Sequence, residues 1–345
     1  MFSMSGSGSS RAHVRRMPPA WLAVHLCVAL PLASAARALP RRSVIGLASG
    51  TLIAAAAPAR SETSGIAAPA VPTLSGIIEG TIALPDGGRA AALALRPAYG
   101  LETPDVVYPS WFLGKWQASS TLQSVIAPAG EDLFAPGRNG TDAIRRARAE
   151  IGAEFALNYD VRWRQRANQQ DAVEVVVDRG YNVASISRAA MGSSAVQDVQ
   201  EDGPNHLTTY LQPKGAPPGL VYAADLRVVS RRTDPADPAR PRLFVCAETT
   251  RQTVTAVAGE KAAVQPPKSP LIKEIETIVT YELDAKDPNL MRGYQRTATF
   301  LVPDTAYTGD PKLVELAAAK LTSFRGRLVA VDVRTYDLTY SRLPA

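Results

Sequence analysis

The densest group of polar side chains in the sequence lies between apolar stretches, and its members are Asp178, Arg179, Tyr181, Asn182 and Arg188. If the predicted apolar strand that precedes this group, Val173–Val177, lines a barrel, the group could lie at the mouth of that barrel. Arg179 or Arg188 could then hold a carboxylate or phosphate through paired guanidinium hydrogen bonds. A structural interpretation stays open, because Asp178 and Asn182 could cap a short helix while Arg179 pairs with Glu174.

A second group of polar side chains lies on a predicted strand near residue 276. Glu274 and Glu276 share one face of that strand, whereas Thr277 and Tyr281 share the other. Two carboxylates inside a barrel could perform acid–base chemistry if desolvation raised one pKa. On the outer face, which we expect, they would be solvated charges. The candidate ligand-binding residues are Arg179, Tyr181, Asn182, Arg188, Glu276 and Tyr281.

Aromatic side chains form a third candidate group: Trp111, Trp116, Tyr159 and Trp163. They could stack on a flat ligand such as a pigment or quinone. Aromatic residues at strand spacing more often fill a core, and we expect that here. Cys246, which follows Phe244 and Val245, is predicted to be a small buried residue rather than a nucleophile.

Histidine and cysteine are too scarce for several kinds of site. Beyond Cys27 and His25, the chain holds one thiol, Cys246, and one histidine, His206. A mature chain without Cys27 could form no intrachain disulfide, and a zinc site built from His and Cys is excluded within one chain. The turn residues before His206 indicate a solvent-exposed loop histidine. We therefore predict no catalytic residues, no metal and no cofactor.

The formal charge of +6 does not indicate nucleic-acid binding. Residues 1–59 contain no Asp, Glu or Lys and six arginines: Arg11, Arg15, Arg16, Arg37, Arg41 and Arg42. Subtracting these six from the 38 basic residues leaves 32, against 32 acidic ones. The remaining chain is formally neutral and lacks the basic surface typical of nucleic-acid-binding domains.

Residues 1–59 are predicted to be a cleavable, disordered targeting leader in two parts. Residues 20–36 are apolar, follow Arg15 and Arg16, and end in small residues, which is the order of a secretory signal. Arg41 and Arg42 then precede a mild apolar run and a small-residue cleavage site, as in twin-arginine signals. Two stacked signals favour delivery to the thylakoid lumen of an algal plastid, with a mature chain starting near Arg60. Ordinary secretion through one degenerate signal is the alternative, and translation could begin at Met1 or Met17.

The rest of the chain divides into a linker and one β domain. Residues 60–104 are rich in Ala, Pro, Gly and Ser and are predicted to be a flexible linker whose end could lie against the domain. In residues 105–345, period-two alternation predicts about nine or ten antiparallel strands. Helices are predicted at 142–150 and 311–323, with a short helical segment at 183–190. The charged segment 231–242 is predicted to be a loop with its Arg and Asp side chains in solvent.

This strand count predicts a mainly β fold: a single antiparallel barrel of lipocalin-like (calycin) type with short helices. Gly114-Lys115-Trp116 resembles the Gly-x-Trp signature of lipocalins, which implies that Gly114 and Trp116 form a plug at one end of the barrel. The same resemblance implies an arginine from the last strand over Trp116, either Arg334 or Arg342.

The wider sequence resembles an uncharacterised domain family of cyanobacteria and plastid-bearing eukaryotes, domain of unknown function 6816. The resemblance covers roughly residues 105–341 and is carried by the segments YPSWFLGKWQASSTL (108–122), VDRGYNVASISRAAMG (177–192), ETT (248–250) and IETIVTY (275–281). It departs near the C-terminus, where the helix at 311–323 is an insertion or extension. This family supports a plastid location and implies no activity.

Three functions are consistent with these patterns. The first is a non-catalytic binder of an apolar or amphipathic small molecule, such as a lipid, pigment or quinone. The second is an assembly or maintenance factor of a photosynthetic membrane complex. The third is a lipid- or carotenoid-modifying enzyme that uses Glu276 with Tyr281 or Arg179. We expect the processed chain not to be an integral membrane protein and not to bind nucleic acid.

Overall fold

The computed structural model describes residues 73–78, 104–134, 140–168, 172–213, 216, 219–258, 270–301, 311–323 and 329–344. The predicted leader, residues 1–59, and most of the predicted linker lie outside the described residues. Within these ranges the helices are α1 (Leu74–Ile78), α2 (Gly140–Arg148), α3 (Arg179–Met191) and α4 (Pro311–Ser323). Short 3-10 turns occupy Ser110–Phe112, Glu131–Leu133 and Ala153–Phe155.

Ten strands form a single sheet. They are β1 (Gly114–Ile126), β2 (Leu157–Ala167), β3 (Val173–Val177), β4 (Val196–Glu201), β5 (His206–Leu211), β6 (Leu220–Thr233), β7 (Leu243–Ala258), β8 (Leu271–Leu283), β9 (Leu290–Leu301) and β10 (Asp332–Arg342). Their order is β3-β2-β1-β10-β9-β8-β7-β6-β5-β4, and every neighbouring pair is antiparallel. The prediction of one mainly β, antiparallel domain is confirmed.

The sheet curls as a half-barrel, with β3 and β4 at its two edges. Helix α3 connects these edges and packs against both sides of the gap between them. On one side, Ser185 accepts a hydrogen bond from the β2 backbone at Asp160. On the other, Gly180 lies beside the Glu201 and Val199 side chains of β4. Because 13 helical residues span only about 20 Å, the edges must lie close together.

The α3 segment differs from the short helical turn predicted at 183–190. It begins four residues earlier, since the Asp178 carboxylate accepts a hydrogen bond from the Tyr181 backbone and caps the helix. It ends at Gly192, whose φ of 107° lies in the region that favours glycine. The proposed Asp178 cap is confirmed, whereas Asn182 lies inside the helix and does not cap it.

Trp116 lies near the start of β1, opposite Arg342 near the end of β10. Trp116 is fully buried, and its indole N–H donates to the Phe112 carbonyl at 2.8 Å. The Arg342 guanidinium lies 4.2 Å from the centre of the Trp116 ring and donates to the Leu113 and Trp111 carbonyls. Of the two candidate arginines, Arg342 therefore takes this position, and Arg334 instead pairs with Asp332.

A short part of the predicted linker is folded against the domain. Leu74 of α1 has no exposed surface, and Ile77 is buried with it against Val245 and Ile278 of the sheet. Asp234 accepts hydrogen bonds from the backbone N–H groups of Leu74 and the following serine, each at 2.9 Å. The linker prediction for 60–104 thus leaves out a segment that contributes to the core.

Candidate functional site

The sheet and helix α3 border an open cavity of about 240 Å³. Strands β2, β3 and β5–β10 contribute wall residues, so the cavity lies at the centre of the half-barrel. Helix α3 presents Arg179, Asn182, Val183 and Ile186 to it, a spacing that places all four on one helix face. The curled sheet and the helix that joins its edges therefore build the cavity together.

Aromatic residues form one wall of this cavity. The rings of Tyr108 and Tyr281 contact Phe112 edge-on, and the ring of Trp163 contacts it at a tilt, with centroids about 5 Å apart. Burial raises the pKa of the Tyr108 and Tyr281 hydroxyls well above their usual range. Tyr281 is hydrogen-bonded to Tyr340, whose pKa is also raised by burial. These hydroxyls stay neutral at physiological pH.

Two members of an ion cluster, Arg179 and Glu248, form a polar part of the wall. Glu248 on β7 accepts two hydrogen bonds from Arg179, at 2.9 and 2.6 Å, and a third from Arg231 at 2.7 Å. Burial alone would raise the pKa of Glu248, but the charges and hydrogen bonds of the two arginines outweigh it and lower the pKa to about 2. The Glu248 carboxylate is therefore ionised throughout the physiological range.

The cluster extends through the segment that precedes β1. Asp105 lies 3.6 Å from Arg179 and 3.7 Å from Arg231, and it accepts a hydrogen bond from Arg166 at 2.9 Å. Arg166 also approaches Glu174, at 3.5 Å. Three arginines thus face three carboxylates, and the cluster carries no formal net charge.

The six candidate ligand-binding residues are not brought together. Arg179 and Tyr281 line the cavity. Asn182 also lies in the wall, but its amide is occupied by the backbone of Arg162, to which it donates and from which it accepts. Its carboxamide is therefore used to attach α3 to β2.

The other three candidates point elsewhere. Tyr181 lies on a different face of α3, with the Arg162 guanidinium 4.5 Å from its ring centre. Arg188 is solvent-exposed on that same side. Glu276 projects from the face of β8 opposite Tyr281, as the alternation predicted. The expectation that it would be solvated is wrong, because it is 1% exposed and paired with Arg296 at 3.2 Å.

Three local predictions near the cavity are also corrected. Arg179 pairs with Glu248 rather than with Glu174. Arg231 extends β6 and is buried, not a loop residue in solvent, because the ion cluster compensates its charge. His206 begins β5, lines the cavity and is hydrogen-bonded to Asp225 at 2.5 Å, so it is not a solvent-exposed loop residue.

The sequence pattern did contain a signal for the residues that were missed. Cys246, Glu248 and Thr250 alternate along β7, so an inward Cys246 places Glu248 on the same inward face. The prediction that Cys246 is buried is confirmed, since it lies in the cavity wall with 8% exposure. Burial, with the charge of Glu248, raises the pKa of the Cys246 thiol to about 12, which opposes a role as a nucleophile.

The described residues offer no group of three His, Cys, Asp or Glu side chains that could bind a metal ion. Within the same ranges, no helix combines the length and apolar character needed to cross a membrane. The cavity wall is mainly apolar and aromatic, and its polar residues include Arg179 and Glu248 of the ion cluster and His206.

Comparison with known proteins identifies the family. No curated protein and no solved structure matches the chain significantly. The profile of the family described as Domain of unknown function (DUF6816) matches residues 100–323, which include the first nine strands and α4. The matched segment includes both Arg179 and Glu248. The chain therefore belongs to the DUF6816 family of domains of unknown function.

Proposed function

We propose that this protein binds a small apolar or amphipathic molecule in the cavity of its half-barrel. The observation that carries the proposal is the cavity itself, about 240 Å³ in volume, with a wall formed mostly of aromatic and aliphatic side chains and a smaller number of polar ones. Ligand sites in proteins typically have this composition, since apolar walls supply affinity and a few polar groups supply orientation.

The volume limits the size of the ligand. A dry cavity of about 150 Å³ holds benzene, so this cavity corresponds by proportion to about ten non-hydrogen atoms. A substituted single ring fits within that limit. A whole tetrapyrrole or carotenoid exceeds it and would have to leave most of its length outside. Among the predicted ligand classes, the ring of a quinone or a small aromatic compound therefore has the best support.

The enzymatic hypothesis has less support from the geometry. Glu276 and Tyr281, its proposed acid–base pair, project from opposite faces of β8. The carboxylate that does line the cavity, Glu248, has a lowered pKa and is held by Arg179 and Arg231, so it is a weak base. Binding without turnover is the function that we propose.

Titration with naphthalene, which has ten carbon atoms, tests the binding proposal by calorimetry. Thr277 is a partly exposed cavity-wall residue, and Thr277→Phe would fill part of the space. Thr339→Phe places the same side chain on an exposed position of β10 and serves as the matched control. We expect the wild type and the control to bind alike, and Thr277→Phe to bind at least tenfold more weakly. Absence of wild-type binding, or equal binding by all three proteins, would contradict the proposal.

We also propose that the protein resides in the thylakoid lumen, on the strength of the twin-arginine segment in the predicted leader. Protease protection in isolated thylakoids and an N-terminus near Arg60 in the mature protein are the expected results. The photosynthetic-complex hypothesis has a separate test. If that hypothesis is correct, affinity capture of this protein from thylakoids should recover subunits of such a complex.

A further inference from the structure

Three polar side chains of the cavity wall have accessible hydrogen-bonding atoms: Thr250 on β7, Thr277 on β8 and Gln295 on β9. Each is partly exposed. Among the described residues, no hydrogen bond uses either hydroxyl or the Gln295 amide oxygen, and none of these three oxygens is buried. The unpaired hydroxyls of Thr209 and Thr249, in contrast, are buried. A molecule in the cavity can therefore reach the first three oxygens.

Strand register arranges these three side chains as a row across the wall. Thr277 is directly opposite Glu248 of β7 and Thr297 of β9. Thr250 follows Glu248 by two residues and Gln295 precedes Thr297 by two, so both share the face of Thr277 and are its diagonal neighbours. Diagonal neighbours in a sheet lie about 7–8 Å apart. We call Thr250, Thr277 and Gln295 the polar row.

The polar row offers both donors and acceptors. Nε2 of Gln295 donates to the hydroxyl of the buried Thr297 at 2.9 Å, which orients the amide and leaves its oxygen as an acceptor. The hydroxyls of Thr250 and Thr277 can each donate and accept. A ligand displaces water from these groups, and it loses affinity where it cannot reproduce the hydrogen bonds of that water. A ligand group that both donates and accepts therefore fits the row better than a carbonyl, which only accepts.

The surrounding charges favour a neutral ligand. Thr277 is opposite Glu248, whose carboxylate is held by Arg179 and Arg231. The ion cluster balances three arginines with three carboxylates and has no excess charge of either sign. An anion at the polar row would lie near Glu248, and a cation would lie near its arginines, in both cases without a counter-charge. A hydroxyl group meets the requirements of the row without a charge.

The aromatic part of the cavity lies beyond one end of the polar row. Tyr281 is on the same face of β8 as Thr277, with Val279 between them. At about 3.3 Å per residue, the two positions are about 13 Å apart along the strand. The ring of Tyr281 packs against Trp163, with centroids 6.3 Å apart. A ligand with a ring at one end and a hydroxyl at the other matches these two parts of the wall.

We infer that the ligand is a neutral aromatic compound with a hydroxyl group, and that the polar row binds this hydroxyl. The inference rests on the binding function proposed above and adds the chemical class of the ligand. The ring lies toward Tyr281 and Trp163, and the hydroxyl lies at Thr277.

Three probes with a common phenyl ring and branched carbon test this inference by calorimetry: cumene, acetophenone and 1-phenylethanol. They have equal numbers of non-hydrogen atoms and differ in one group, which is a methyl, a carbonyl oxygen or a hydroxyl. We expect the wild type to bind 1-phenylethanol roughly three- to tenfold more tightly than acetophenone, which corresponds to about one additional hydrogen bond. Cumene measures the affinity of the apolar part of the cavity alone.

Variants assign the preference to the polar row. Thr277→Val keeps the shape of the side chain and removes the hydroxyl, so it should weaken 1-phenylethanol binding roughly three- to tenfold and change cumene binding little. Gln295→Met removes the amide oxygen and should reduce the preference for 1-phenylethanol over acetophenone. The matched control is Thr253→Val, because Thr253 is partly exposed on the opposite face of β7, and it should bind all three probes as the wild type does. Circular dichroism and cumene affinity establish that each variant retains the fold and the cavity.

The outcomes separate this inference from the proposed function. Equal binding of 1-phenylethanol and acetophenone by the wild type would overturn hydroxyl recognition, while binding of cumene would still support an apolar binding cavity. A preference that persists in both Thr277→Val and Gln295→Met would overturn the assignment to the polar row. If none of the three probes binds, both proposals fail.

A fourth probe, 4-decylphenol, distinguishes the source of the hydroxyl. Binding that weakens in Thr277→Val would support recognition of a membrane lipid headgroup. Exclusion of 4-decylphenol with retained binding of 1-phenylethanol would support a free ring compound.

Discussion

The ion cluster around Glu248 allows a quantitative test of what stabilises this domain. Replacing Glu248 with glutamine removes a carboxylate that compensates Arg179 and Arg231 and leaves both guanidinium groups partly uncompensated. The side chain of Glu248 is 23% exposed, so solvent screens these interactions only in part. We expect Glu248→Gln to destabilise the folded protein strongly at neutral pH.

The magnitude follows from the lowered pKa of Glu248. A change from 4.5 to about 2 corresponds to a stabilisation of about 3 kcal/mol. Loss of one partner from a buried ion pair costs about 3–5 kcal/mol, which agrees. Because the pKa is lower in the folded state, this stabilisation is present above the unfolded pKa and is lost as the pH falls through the folded pKa. At pH 2.5 it should shrink to about 1 kcal/mol.

Urea denaturation of the wild type and of Glu248→Gln between pH 2.5 and 7 measures this difference directly. The difference in free energy of unfolding should be about 3 kcal/mol at pH 7 and should narrow as the pH falls below 4.5. Glu131→Gln is the control, since its pair with Arg148 is exposed and should contribute less than about 1 kcal/mol. A loss below about 1 kcal/mol for Glu248→Gln at pH 7, or a difference independent of pH, would refute this account of the cluster.

Three further predictions concern other parts of the domain. Arg342→Lys should lower the free energy of unfolding in urea by about 1–3 kcal/mol, because the variant loses the stacking on Trp116 and the hydrogen bonds to two carbonyls. The control Arg188→Lys, at an exposed site, should change this free energy little. Burial raises the pKa of Glu150 to about 7, against the opposing charge of an arginine. Glu150→Gln should therefore have the same free energy of unfolding as the wild type at pH 4 and a free energy about 2–3 kcal/mol higher at pH 8. No gain at pH 8 would contradict this. In a Cys27→Ser background, Cys246 should resist a thiol reagent at pH 8 until the protein is unfolded, and rapid labelling of the native protein would contradict its burial.

Much of the fold could be predicted from the sequence because strands and helices leave a local pattern. The helix Pro311–Ser323 has the predicted bounds, since a starting proline marks where it begins. Strand β6 continues to Thr233 because charged side chains that would normally indicate a loop are paired across the sheet.

The candidate site was less predictable, because it is assembled from residues far apart in the chain. Arg179 was recognised as a polar residue next to an apolar strand, but its partner Glu248 lies 69 residues away. Tyr181 and Arg188 belong to the same sequence cluster and yet face away from the cavity, since α3 is a full helix whose faces separate them. Local density of polar residues was therefore a poor guide to the site.

The sequence alone determined which faces of the strands are apolar, where α4 and the C-terminal end of α3 lie, and that Trp116 belongs to the core, since these depend on residues close together in the chain. Only the tertiary structure decided that Arg342 rather than Arg334 covers Trp116, and that Glu248 and Arg231 join Arg179 beside an aromatic cavity. Those choices depend on strand register and on the curl of the sheet, which bring together residues from opposite parts of the chain.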